Sequence, residues 1–518
     1  MSGMQQVHVR VTDAATGQPT PVRLCVNGAT APDNEDFFMP LGRPAIGTTI
    51  PYTDIGGRLE LETPTWWEAW AYIDGGCEIN LPCHEPLRLR AAKGPEYVPL
   101  EVEFQLQRGK LALRHEVRRW SDIRQAGWYG GDARVHCISP HAALLEAQAE
   151  DLAVVQILIR EYELPDNLFT STVDALARKL HLPDDFFVPS VAYPNMLAFS
   201  GQTPCLQVPG HFVVVNSENF HPELGNLGLL HCHRVVYPLS FGVQQNDEEN
   251  WTLLDWCGQC HRKNGLVVWT QTLHRCEDFF YGEPLVDLLL GEVDAFELTD
   301  DGQAALPLWY DLLSIGVRVP LAGASGKESN AQILGALRTY VKLEAAEELT
   351  CSSWIEGLRA GRTFVTNGPL VEFTVNGQPP GSVVHVEAGN VRLRAEAKSW
   401  QPFERLEIVC GGATVAAAAA QSGQPAHAIL EADVPIERSA WLAARCTGDT
   451  FAHTSPIYVE VAGRPMPPDR DAAARLLCEV ERMIAWCQTK ARCPTPQTRD
   501  RLLAGFIKAR ERLRAVGR

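Results

Sequence analysis

The run Gly127-Trp128-Tyr129-Gly130-Gly131-Asp132-Ala133-Arg134-Val135-His136 sets three polar side chains two residues apart behind a pair of glycines. Side chains alternate along an extended chain, so Arg134 and His136 are expected on one face of a strand. The run also stands where the texture of the chain changes. Beyond Trp120, amphipathic stretches alternate with short apolar runs, as in βα units built on a sheet. Helices are expected at 142–151, 172–180, 251–263 and 284–291, and strands at 154–159, 212–215, 266–270 and 295–298. The economical reading is a multi-domain α/β chain with a β/α barrel-like unit over 119–366, its chemistry in the loops at the strand ends.

Upstream, Val7, Val9 and Val11 alternate with His8 and Arg10, a turn follows at 13–17, and Val22, Leu24 and Val26 resume the pattern. A hairpin is expected there, opening a small β-sandwich over 1–118. Downstream of Asn367-Gly368-Pro369-Leu370 the alternation returns at Val371, Phe373 and Val375, then the turn Asn376-Gly377, then further short strands. These predict a second sandwich of Ig-like size over 367–463. Pro465, Pro467 and Pro468 mark a linker. Leu476, Val480, Met483 and Cys487, then Leu502, Phe506 and Leu513, recur at helical spacing around Pro494 and Pro496. A helical hairpin over 464–518 is expected, its apolar face packed on the body.

The 518 residues are 45% hydrophobic and 21% charged, an ordinary globular composition. Their formal charge of -17 repels nucleic-acid phosphates and anionic lipid, and no basic patch offsets it. Neither nucleic acid nor membrane is therefore expected as a partner. No export leader and no apolar run of membrane-spanning length is seen. Fifteen scattered cysteines read as reduced thiols, so a cytoplasmic location is expected. Nine of the fifteen histidines fall between His136 and His274, which draws attention to the central unit.

The opening run resembles the Gly-Asp-x-His-x-His start of the CehA/McbA-type metallohydrolases of the PHP (polymerase and histidinol phosphatase) superfamily. The resemblance extends over roughly residues 5 to 460, through Glu146-Ala147-Gln148-Ala149-Glu150-Asp151-Leu152, Asn264-Gly265-Leu266-Val267-Val268-Trp269, Arg338-Thr339-Tyr340-Val341 and the run from Gly361 to Pro369. It implies a distorted β/α barrel between an N-terminal transthyretin-like and a C-terminal Ig-like sandwich. It also implies a divalent metal, zinc or manganese, that activates water. The implied metal positions are largely replaced. Arg134 stands for the first histidine of the pair, Asn226 and Gln271 for two later ones, and Ser325 for an aspartate. A guanidinium has no free lone pair, and neutral amides bind transition metals weakly. Asp132, His136 and Glu218 remain as candidate catalytic residues and as ligands for one metal.

Arg134 beside Asp132 and Glu218 can replace the lost cation and leave a pocket for an anionic or polyhydroxy ligand. Asn226, Gln271, Lys327 and Arg338 are further candidate substrate-binding residues, with Glu328 nearby. A relocated metal site would use His231, His233 and His274. The string Cys257-Gly258-Gln259-Cys260-His261 matches a haem-attachment motif, but it lies within a predicted helix, so two buried thiols are expected and no haem. The expected function is an altered or silent relative of these hydrolases holding a small-molecule or carbohydrate-like ligand. The alternative is an active metal-dependent hydrolase with a reduced or relocated site.

Overall fold

A computed structural model describes residues 4–28, 58–60, 69–163, 191–241, 250–273, 278–299, 302–328, 332–387 and 389–516. The protein is mixed α/β and rich in strands, with one large curled sheet and several smaller ones. The expected helix 172–180 and His274 lie outside the described residues.

The opening run forms the strand Trp128–Val135, parallel to Val154–Ile159 and antiparallel to Arg338–Lys342. Every residue of Val154–Ile159 is buried, because a strand covered on both faces has no solvent side on which to alternate. Gly131 allows a close crossing: a Cβ there would lie 2.7 Å from the Trp354 ring. Between Asp132 and Val135 the register against Val154–Ile159 shifts, so Arg134 sits at an irregularity where side chains are re-aimed.

From Val154–Ile159 the sheet proceeds through His211–His221, Gly225–Leu230, Leu266–Thr270 and Ala295–Leu298 to Leu321–Gly323. It curls into a half-barrel, bringing that last strand back to the Arg338–Lys342 side. Threonine hydroxyls span the seam, with Thr339 Oγ1 donating to Gly323 O and Thr363 Oγ1 to Leu321 O, both at 2.9 Å. The side chains thus satisfy carbonyls that a backbone ladder would otherwise take. On the other side the sheet runs through Thr363–Thr366 directly into Ala452–Thr454, Ala440–Thr447 and Arg405–Cys410. Residue 366 is therefore not a break in the ladder.

The N-terminal strands correct one expectation. Met4–Asp13 and Val22–Gly28 do not pair as a hairpin: the first lies between Gly76–Pro82 and Ala112–Arg119, the second between Ala69–Ile73 and Pro86–Ala92. Val7, Val9, Val11, Val22, Leu24 and Val26 instead meet across one core. Both strands carry their valines and leucine on a single face, and stacking two such faces buries more apolar area than edge pairing would. A three-stranded sheet of Leu370–Val375, Gly389–Ser399 and Ala426–Ile436 shares another core with the C-terminal end of the large sheet.

Ser139 caps the helix Pro140–Ala149 by accepting from Ala142 N–H, with Pro140 at its first position. Helices Leu253–Arg262, Glu283–Leu290 and Leu306–Ser314 cover the outside of the half-barrel. The hairpin Arg470–Thr489 and Pro496–Val516 completes that layer, so Trp256, Trp269, Phe296, Trp309, Met483 and Phe506 belong to one core. Among the described residues no helix is long and apolar enough to cross a membrane.

Candidate functional site

Inside the half-barrel, side chains from four strands, with His136 and Arg160 just past two strand ends, converge on a chain of alternating charges. Arg134 is 3% exposed, and its Nε donates to both carboxylate oxygens of Glu297 at 3.0 Å. The same Nε is 3.9 Å from Glu218 Oε1. His136 Nε2 stands 3.0 Å from Glu218 Oε2, off the axis of a hydrogen bond, while its Nδ1 donates to Leu158 O at 2.9 Å. Thr270 Oγ1 donates to Glu218 Oε1 at 2.6 Å. Arg160 extends the chain outward, 3.7 Å from Glu218 and 3.5 Å from the exposed Glu328.

Burial alone would raise the pKa of Glu218, but His136, Arg134 and Arg160 outweigh it and hold the carboxyl well below the usual range. Glu297 moves the other way: burial raises its pKa, and Arg134 offsets this only in part. Burial acts against the Arg134 cation, yet Glu297 and Glu218 together raise its pKa.

Asp132 belongs to a neighbouring, separate arrangement. Its Oδ1 accepts from the N–H groups of Ser325 (3.1 Å) and Arg134 (3.3 Å), and its Oδ2 from the Ser325 hydroxyl (2.5 Å) and Gly335 N–H (2.8 Å). Four donors saturate the carboxylate, which ties Ser325 and Gly335 to the strand Trp128–Val135. Asn226 and Gln271, the latter just past the strand Leu266–Thr270, pair beside the cluster through Nδ2 to Oε1 at 2.7 Å.

The structure does not bring the other sequence-derived candidates here. Lys327 is fully buried, donating to Gln332 O at 2.9 Å and lying 3.7 Å from Glu146. Arg338 donates to Gly335 O and Glu150 O instead. Strand Gly225–Leu230 pairs antiparallel with Leu266–Thr270, so Asn226 faces Thr270 while Leu230 faces Leu266. His231 and His233 follow Leu230 and therefore sit past the opposite end of that strand from Asn226, where their rings bond to Asn264 O and Lys263 O and not to Glu218. Cys257 and Cys260 lie buried on helix Leu253–Arg262; Cys260 Sγ is 3.4 Å from Cys232 Sγ, and burial pushes both helix thiols well up.

A divalent metal does not fit the side chains as arranged. The Asp132 oxygens are taken by donors, and the Arg134 guanidinium lies between Glu218 and Glu297, which leaves His136 Nε2 and Glu218 Oε2 as a pair too few to hold a metal. Among the described residues no group of three or more His, Cys, Asp or Glu side chains is placed to hold a metal ion. Sequence reading missed Glu297 and Arg160. An acid within the otherwise apolar Ala295–Leu298 was the available signal, since a wholly buried strand tolerates a carboxylate only with a cation to meet it. Compared with models of protein families, with curated proteins and with solved structures, the chain gives no match.

Proposed function

We propose that this chain is a divergent relative of the PHP-type metallohydrolases in which a fixed guanidinium has replaced the metal. The half-barrel then serves to bind a ligand and is silent as a metal-dependent hydrolase. The observation that carries this reading is Arg134 Nε at 3.0 Å from both Glu297 oxygens, at the position where the resemblance expects a metal-binding imidazole. A guanidinium neutralises buried carboxylates permanently, whereas a metal must be captured and retained. The ligand class is a small anionic or polyhydroxy molecule, met by the Asn226–Gln271 amides and the Arg160–Glu328 pair. The same reading treats the N-terminal pair of sheets as transthyretin-like, the C-terminal strands as an Ig-like sandwich, and the setting as cytoplasmic.

Metal content measured by plasma mass spectrometry, after incubation with zinc or manganese and gel filtration, tests the proposal. The wild-type protein is expected to retain well under one equivalent, and Arg134→His to gain affinity. One or two equivalents retained by the wild type, and lost in an Asp132→Ala/His136→Ala variant, would establish the alternative of a reduced but active metal site.

A further inference from the structure

A cleft of about 320 Å3 opens where the N-terminal sheets, the half-barrel and the C-terminal strands meet, away from the Arg134 cluster. That volume lies within the ~300–1,000 Å3 typical of small-molecule sites. Its floor is the segment that carries Gly335 and Arg338. The Arg338 side chain is 4% exposed, its Nε and Nη1 donate to backbone carbonyls at 2.8 and 2.9 Å, and it has no carboxylate partner among the described residues. Across from it, Arg23 Nε lies 3.0 Å from Glu150 Oε1, an oxygen that also accepts from the Tyr72 hydroxyl at 3.0 Å. Two guanidiniums and one carboxylate line the cleft, which leaves a single positive charge in a partly buried place. Ser399, 1% exposed, lines it too, and its hydroxyl has no hydrogen-bond partner among the described residues. A buried hydroxyl without a partner costs free energy unless a ligand or water satisfies it. Trp400, half-buried and 6.2 Å from the Trp120 ring, forms the apolar wall.

We propose that this cleft binds a small cyclic polyhydroxy monoanion, of the hexuronate class. Its carboxylate meets the unpaired Arg338 charge, a ring hydroxyl satisfies Ser399 Oγ, and the C–H face of the ring lies on Trp400. The net charge selects a monoanion over a neutral sugar, and the aromatic wall selects a ring over a compact ion such as phosphate.

Titration calorimetry of the full chain with D-glucuronate, D-glucose and inorganic phosphate tests this. Glucuronate is expected to saturate one site, with glucose and phosphate each weaker by roughly tenfold or more. Trp400→Ala and Ser399→Ala, neither of which touches the Asp132 or Arg134 contacts, are expected to weaken glucuronate by roughly tenfold and threefold. The assignment is overturned by an absence of saturable glucuronate binding. Equal affinity for glucose, or binding that responds to Asn226→Ala and not to Trp400→Ala, overturns it as well, the last by placing the ligand in the half-barrel.

Discussion

Replacing Arg134 by methionine leaves the buried Glu297 without the cation that pairs it and takes away one of those facing the buried Glu218. Stranding buried charges in this way costs about 3–5 kcal/mol, so Arg134→Met should lower the urea midpoint of unfolding substantially. Adding Glu297→Leu removes the worse-placed carboxylate, since Glu218 keeps His136, Arg160 and Thr270. The double variant should recover at least half of the loss. If the two losses simply add, Arg134 and Glu297 are not coupled and the pair has no special role. At this scale the sequence was informative about which residues are unusual and poor about whom they meet. Arg134, His136 and Glu218 stood out and do converge. Arg338 and Lys327 stood out equally and are held elsewhere, because their partners, Gly335 O, Glu150 O and Gln332 O, are backbone carbonyls that no local pattern of side chains singles out.

Secondary structure was legible wherever burial imposes a simple period. Strand Leu266–Thr270 and helices Leu253–Arg262 and Glu283–Leu290 fall close to where apolar spacing puts them. The strand His211–His221 was read as four residues because Asn216-Ser217-Glu218-Asn219 interrupts its apolar run; those polar groups point into hydrogen-bonded interior positions instead of solvent. Pairing was less legible than element type, as the two N-terminal strands show, since alternation tells which face is buried and not whether its partner lies beside or opposite. One strand carries a pH consequence. On Ala452–Thr454, His453 donates from Nδ1 to Thr454 O at 2.8 Å and accepts at Nε2 from Tyr310 at 2.7 Å. Burial pushes its pKa down to about 3, with Arg445 adding to the effect and the Thr454 carbonyl opposing it. The unfolded chain takes up a proton near 6.5 that the folded chain refuses, so the stability that neutral His453 contributes is present above about 6.5 and lost as pH falls toward 3. Melting temperatures of wild type and His453→Gln should therefore differ most at pH 7 and draw together by pH 4. A gap that widened on acidification would contradict the neutral, doubly bonded imidazole.

The molecule as a whole is knit together by two features: a ladder that crosses from the half-barrel into the C-terminal strands, and a core closed by the terminal hairpin. Phe506 is 1% exposed within that core, so Phe506→Ala should cost about 3–5 kcal/mol. Its effect should appear in the same thermal transition that reports on Trp269 and Trp309, with tryptophan fluorescence and far-ultraviolet dichroism still coincident. Two separated transitions would mean that the hairpin melts alone. This closure also bears on how the chain is made. Leu227 and Phe506 share one core yet lie about 280 residues apart, and ribosomes add ~5–20 residues per second. For on the order of 10–50 s of synthesis, the nascent polypeptide therefore holds Trp256, Trp269 and their neighbours without the hairpin that covers them. Its yield in the cell depends on what shields that surface meanwhile.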